Sequence, residues 1–502
     1  MQKLETSLVF QASMIIQPLK FPEILICCRY WMLEIVKGAK EFNIPTIRAN
    51  RKLVGYVNGG LQDPSALIFV PDWGNEKSQP LSTKFNYPSL SGIYRTKNDD
   101  DISKQITSVE LTRIFMQRLK KYNPVLEAAV TYTEESANQQ AKDADKLLAR
   151  EVYLGPLHGI HYGLKDIISV PHYKTTWGST TFKDQVLDTK AWVYKRLKSA
   201  VAVLVTKLVT GLLAYDDIWF GGRTRNPWNI EEFTTSSSSG PAACTPAGMV
   251  LFAIGSETVG SMTLPTAHCG VVGLRPTFGS VGRTGDKLGP VCRSAVVLDA
   301  IRGNDSNYLS SRDILLEDHF LVDITKLTVG YVDDAEMEVF VHVLESKGVS
   351  MVPFKLNYTV DFVQGILDML AHFDEWQRSR KDDDYKSQSQ WPPELHRARI
   401  FPAVDYIQRA RGRLIREVRD SFSVDAFIGN AADWERVCMG NLVGMPVIVV
   451  PTGFTNISDP PCSNCLRKIA MTTGIYLPLI RITSCALALA MAYQSVTDHH
   501  KK

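Results

Sequence analysis

The chain has 502 residues, 45% of them hydrophobic and 22% charged, with 56 basic against 53 acidic side chains and a net charge of +3. A globular chain of this length buries a sizeable core without disulfide or metal staples. Near-balanced charge argues against a nucleic-acid surface, and no apolar run reaches the roughly 18 residues of a membrane span.

Residues 1–100 read as an N-terminal extension. ILICCRYWML (24–33) is cut by Arg29, and the first residues carry neither a secretory signal nor an Arg-rich transit pattern. The stretch from PDWGNEKSQP to NYPSLSG is rich in Pro, Gly, Asn and Ser, and roughly 75–100 reads as a linker. The acidic runs NDDD (98–101) and KDDD (381–384) read as solvated loops, because no partner ligands recur at a fixed spacing.

The first clear helix start is Thr107 with Glu110, which have capping-box spacing. Leu111, Ile114, Phe115 and Leu119 continue one apolar face, and Asn123-Pro124 is expected to end the helix. A second helix is predicted over roughly 133–150. Seven short β-branched runs then follow: GLKDIISV (163–170), AVAVLVTKLV (200–209), MVLFAIGS (249–256), CGVVGLRP (269–276), LTVGYV (327–332), DAFIGN (425–430) and MPVIVVPTGF (445–454). Apolar on both faces and alternating with helices, they predict a largely parallel or mixed sheet covered on each side. A polar tail closes the chain at 496–502.

Nine cysteines is an odd count. Cys244, Cys269 and Cys438 lie singly in apolar stretches and read as small buried thiols, which suits an intracellular, cytoplasmic setting with an organelle left open. A single CxxC, CSNC at 462–465, reads as a chance pair in a loop, not a zinc site.

Three segments carry chemistry-bearing residues. GPLHGIHYGLKD (155–166) places Lys165 in an apolar run, where a lysine is costly unless it is paired, neutral or able to reach water from a strand end. TTSSSSGPAACTPAG (234–248) holds four consecutive serines between two apolar runs, where a flexible linker is out of place. FAIGSETVGSMTLP (252–265) leads from a strand into a Gly-containing loop with Ser261, either a polar turn or an anion-binding nest of backbone N–H groups. A Ser-His-Asp hydrolase is disfavoured: Ser261 lies in VGSMT, not GxSxG, and His158, His161 and His268 are scattered.

Taken together, in this order and spacing, the segments resemble the amidase signature family. GPLHGIxxGLKD, TTWGS, GGRTRNPWN, the serine loop, CGVVGLRPTFG, DKLGP and NLVGMPVIVVPTGF stand in family order across about 103–495. The resemblance implies one amidase signature domain over 101–495, an α/β fold with a large mixed β-sheet and helices on both faces (an α/β/α sandwich). It implies Ser261 as nucleophile, Lys165 as general base and Ser237 as the bridging serine held by a cis peptide. The backbone N–H groups of Thr258, Val259, Gly260 and Ser261 would form the oxyanion hole. The implied reaction is amide hydrolysis without metal or cofactor, on a small-molecule amide, and it allows for a homo-oligomer. The glutaminase-type component of the tRNA-dependent glutamyl-tRNA amidotransferase belongs to the same family, so that role and a non-catalytic binding role are the alternatives.

Several positions depart from the family pattern. Thr235 and Ser236 stand where two glycines are usual, and a β-branched Thr is unfavourable there if φ is positive. Val259 replaces a Gly, Thr263 a common Arg, and His161 a common Pro. Pro246 falls inside the helix expected after the serine loop, where it would kink it. GRTG (282–285) runs directly into DKLGP (286–290), and CRS (292–294) into AVVLDAI (295–301), each trimming a family segment. The stretch 455–485 is poor in family-like pattern.

Overall fold

A computed structural model describes residues 42–43, 86–87, 107–285, 295–314, 316, 319–332, 337–358, 403–456, 468–478 and 483–497. The acidic runs at 98–101 and 381–384, the CSNC pair and the junctions at 286–294 lie outside the described residues. Of the N-terminal extension, two antiparallel two-residue strands are described, Phe42–Asn43 against Asn86–Tyr87.

Helix α1 (Ser108–Leu126) starts at the capping box: the Glu110 N–H donates to Thr107 Oγ1 at 3.1 Å and the Thr107 N–H to Glu110 Oε2 at 2.9 Å. It runs through Pro124, past the predicted end, to Leu126. In the last turn a proline removes a single backbone bond, and Asn123 closes the end. Asn123 Oδ1 accepts the N–H groups of Ala128 and Ala129, and Glu127 takes a left-handed cap at φ 51°. Helix α2 (Glu134–Leu148) falls in the predicted window and buries Ala137, Ala141 and Ala144.

Every predicted apolar run overlaps a strand, though the strand on 163–170 starts earlier, at His161, and ends at Lys165. With β1 (Ala129–Tyr132), the strands of the two large sheets are β2 (His161–Lys165), β3 (Val203–Leu208), β4 (Phe252–Ile254), β5 (Gly273–Arg275), β6 (Thr328–Tyr331), β7 (Ser350–Pro353), β8 (Ala426–Asn430), β9 (Val447–Asn456) and β10 (Lys468–Tyr476). The unanticipated ones are β1, β7 and β10, the last inside the stretch of weak pattern. They form two mixed sheets, β4-β2-β3-β1 and β5-β9-β10-β8-β6-β7. In the first, β4, β2 and β3 are parallel and β1 antiparallel.

Both faces of the first sheet are covered. Val203 and Val205 of β3 pack with Met116, Leu119, Ala137 and Ala141 of α1 and α2. On the opposite face Leu204 joins Tyr162 and Leu164 of β2 in a core that includes Leu197 of α3 (Trp192–Ser199) and reaches Leu274 and Ile448 of the second sheet. Alternation along a strand produces this division. The chain crosses between sheets from β4 to β5, through residues 255–272.

Candidate active site

Lys165 is the last residue of β2, and parallel pairing sets Leu164 beside Ile254 of β4. The carboxyl ends of two strands thus open side by side, where a lysine side chain and the loop after β4 meet. Lys165 is fully buried, and it does not reach water as a strand-end lysine could. Its Nζ donates to Ser237 Oγ at 2.8 Å, Ser256 Oγ at 2.9 Å and Ser238 Oγ at 3.0 Å. Three hydroxyls match the three N–H donors of an ammonium. Ser238 Oγ already donates to the Ser256 carbonyl at 2.9 Å, but Ser237 or Ser256 can turn its one proton to the single lone pair of a neutral amine, so the cluster can host either protonation state.

The next residue, Asp166, turns away. Its Oδ1 takes a 2.8 Å bond from Lys207 Nζ, both side chains being fully buried, and its Oδ2 accepts the N–H and hydroxyl of Thr176 in the TTWGS motif. Lys207 also donates to the Lys174 carbonyl and Thr175 Oγ1. A buried ion pair with its remaining valences filled fixes the end of β2 against the neighbouring strand.

The serine loop leaves a hairpin whose second strand is Asn229–Phe233 and enters the short helix α4 (Ser239–Cys244). Thr235 and Ser236 both have positive φ, 59° and 57°. The two positions thus need the conformation that glycine adopts freely. Ser239 begins α4, and its φ is not positive. Gly240 is required by space, since an added Cβ would stand 2.4 Å from the Ala128 carbonyl oxygen and the Val209 nitrogen. Pro246 does not kink a helix as expected, because α4 stops at Cys244; the chain closes instead in a turn, with the Met249 N–H on the Cys244 carbonyl at 2.9 Å.

Ser261 is 7% exposed and is tied to the serine loop through its backbone: the Ser238 N–H donates to the Ser261 carbonyl at 2.9 Å. Gly260, at φ 81°, makes the turn before it, while Val259 stays outside the left-handed region, so the Gly-to-Val departure costs no backbone strain. Glu257 organises this turn. Its Oε2 accepts the N–H groups of Met262 (2.7 Å) and Thr263 (2.6 Å) and the Thr263 hydroxyl (2.8 Å). Its Oε1 accepts from the Arg275 guanidinium and from Asn441 Nδ2 at 2.8 Å. Burial pushes the Glu257 carboxyl up, but the Arg275 charge, the Thr263 N–H, Asn441 and the Met262 N–H outweigh it and hold it below the usual carboxylate range. Asn441 comes from helix α9, counted with α5 (Thr263–His268), α6 (Ala295–Ile301), α7 (Glu338–Ser346) and α8 (Ala403–Ser421) before it, which spans Trp434–Val443.

The histidines lie elsewhere. His158 is buried, its Nδ1 accepting from the Leu154 N–H and its Nε2 3.0 Å from the Ala144 carbonyl. His161 is 2.6 Å from Thr112 Oγ1 on α1, and burial lowers its imidazole to about 3. His268 is an exposed residue ending α5. Among the described residues no cluster of His, Cys, Asp or Glu is suited to a metal ion, and no helix is long and apolar enough to cross a membrane. Cys244, Cys269, Cys438 and Cys485 are buried thiols outside any disulfide.

Sequence reasoning missed Ser238, Ser256, Glu257 and Arg275 as parts of the site. All four stand inside segments already singled out, the serine run, GSETVGS and CGVVGLRP. A carboxylate flanked by small residues, between a buried strand and a glycine turn, was the available signal.

Known proteins resemble this chain in sequence and in fold. The A component of the glutamyl-tRNA(Gln) amidotransferase of Moorella thermoacetica is 36% identical over 233 residues, 43% of this chain and 47% of that protein. The putative amidase AmiD of Mycobacterium bovis is 37% identical over 216 residues, 40% of this chain and 46% of that protein. The chain thus spans about half the length of the curated relatives it matches. The native peptide amidase of Stenotrophomonas maltophilia superposes with a TM-score of 0.65 at 23% identity, covering 78% of this chain and 93% of that one, a likeness of fold. A family model for Amidase matches residues 110–404, and on that match the chain belongs to the amidase family.

Proposed function

We propose that the protein hydrolyses a linear amide through an acyl-enzyme on Ser261. The reading is carried by one observation: a fully buried Lys165 Nζ lies 2.8 Å from Ser237 Oγ, in a loop whose next N–H holds the Ser261 carbonyl. A serine hydroxyl is a poor nucleophile until a base takes its proton, and a lysine can take it only when neutral. Lys165 acts as that base, Ser237 relays the proton from Ser261 and later returns it to the leaving amine. The N–H groups of Thr258, Val259, Gly260 and Ser261 receive the oxyanion, where one donor is typically worth about 2.7–4 kcal/mol. Water then releases the acyl group.

The test is labelling by a serine-directed fluorophosphonate of the wild type, Lys165→Ala and Ser261→Ala, followed by a panel of simple amides. Labelling of the wild type alone is expected, and labelling that survives Ser261→Ala overturns the nucleophile assignment. A second reading follows from the 36% identity to an amidotransferase component: glutamine is the substrate and ammonia passes to a partner protein. Glutamine hydrolysis that appears only on adding such a partner favours it over a free-standing amidase.

A further inference from the structure

Thr235 and Ser236, the two left-handed residues of the serine loop, immediately precede Ser237, and the segment 211–217 holds the chain on both sides of them. On one side, Asp217 Oδ2 accepts the Thr235 N–H at 2.9 Å. On the other, the Gly211 N–H donates to the Ser237 carbonyl at 3.2 Å. The two ends of that segment are pressed together: an added Cβ on Gly211 would stand 1.0 Å from the Asp216 carbonyl oxygen. Asp217 is fully buried, and its second oxygen takes a 2.6 Å bond from Arg223 Nε. Arg223 is fixed in turn, its guanidinium 4.0 Å from the Phe233 ring centre and its backbone N–H on Glu127 Oε2 at 2.9 Å. Non-glycine residues in the left-handed region persist where their surroundings over-determine them. Two bonds bracketing the strained dipeptide supply that determination.

We propose that Asp217 is a positioning residue for Ser237, the carboxylate arm of a two-point clamp that keeps Thr235 and Ser236 left-handed and so keeps Ser237 Oγ on Lys165. The clamp is needed because side chains stand where glycines would hold the conformation unaided. Its catalytic consequence rests on the hydrolase reading above; its structural consequence does not.

The experiment compares Asp217→Ala with the same substitution in a Thr235→Gly/Ser236→Gly background, by crystallography and by amide kinetics. In the single variant the positive φ at 235 and 236 and the Lys165–Ser237 contact are expected to be lost, and kcat to fall by about 10–100-fold with KM little changed, since a misplacement of about 1 Å costs on that order. In the glycine background both the contact and kcat are expected to survive the loss of Asp217. Arg223→Gln, which removes the ion pair and spares the Thr235 bond, is expected to leave the contact in place. An unchanged Lys165–Ser237 contact in Asp217→Ala overturns the proposal. So does an equal loss in both backgrounds, or an Arg223→Gln variant as damaged as Asp217→Ala. If Asp217→Ala alone does not fold, the glycine background and Arg223→Gln decide it. A wild type inactive on every amide defeats the hydrolase reading, while the crystallographic comparison still decides the clamp.

Discussion

Replacing Glu257 by Gln keeps its size and removes its charge. Five donors converge on the two Glu257 oxygens: the N–H groups of Met262 and Thr263, the Thr263 hydroxyl, Arg275 and Asn441. A carboxamide offers one oxygen and one NH2, so whichever way it turns, the NH2 faces donors. Facing Arg275 and Asn441, it leaves a guanidinium only 7% exposed without its counter-charge. Breaking a buried pair by neutralising one member costs about 3–5 kcal/mol. We therefore expect Glu257→Gln to lower the unfolding free energy in urea by that amount at unchanged m-value. Fluorophosphonate labelling of Ser261 should fall as well, because Met262 and Thr263 follow it directly. A loss below about 1 kcal/mol would show that the turn is set by backbone packing and refute the reasoning.

Acid should act on the same group. The Glu257 carboxyl is held below its ordinary value in the folded protein, so its contribution is complete above the unfolded value of about 4.3 and is lost as pH falls through the lower folded value. Wild type should lose stability over that acid range, and Glu257→Gln should lose less; parallel acid limbs in the two melts would contradict this. Ser236→Gly should stabilise by about 1 kcal/mol, the left-handed penalty of about 1–2 kcal/mol less the entropy glycine restores to the unfolded chain, and Thr235→Gly by more, since it also removes a buried hydroxyl with no hydrogen-bond partner among the described residues; both are readable as a higher urea midpoint. A lower midpoint for either would mean that φ there is not strained. Lys207→Met should cost about 3–5 kcal/mol, since it strands the fully buried Asp166, whereas the exposed Lys120–Glu134 pair should be worth under about 1 kcal/mol by the same melt.

Strand placement was legible wherever burial writes a short β-branched run between breakers. Ends were less so. The helix over 108–126 outran its proline because Asn123 caps it through two N–H groups well beyond the proline, a contact that periodicity does not encode. The strand Lys468–Tyr476 was missed because the run KIAMTTGIY mixes threonines and a glycine with its apolar residues, and pairing with Val447–Asn456 settles it through contacts distant in sequence. In the site, Lys165 and Ser237 could be paired from motif order. Glu257, Arg275 and Asn441 could not, since their meeting depends on the crossing between two sheets and on a helix residue 184 positions away from Glu257.

The departures from the family pattern are not equivalent, and the geometry separates them. Where Thr263 replaces a common Arg, the acid in reach keeps a cation, because Arg275 approaches Glu257 from β5 while Thr263 adds its own N–H and hydroxyl to the other oxygen. Val259 meets no backbone demand that only glycine could satisfy, and Pro246 falls beyond the end of α4. Thr235 and Ser236 are the positions where a side chain opposes the backbone, at φ 59° and 57°. Thr235 Oγ1 is also buried without a hydrogen-bond partner among the described residues, which costs about 1–3 kcal/mol for such a group. Strain and an unmet hydroxyl thus fall on the two residues before Ser237, so the placement of Ser237 depends on what holds the loop from outside, the Asp217 carboxylate and the Gly211 amide, more than on the loop's own conformational preference.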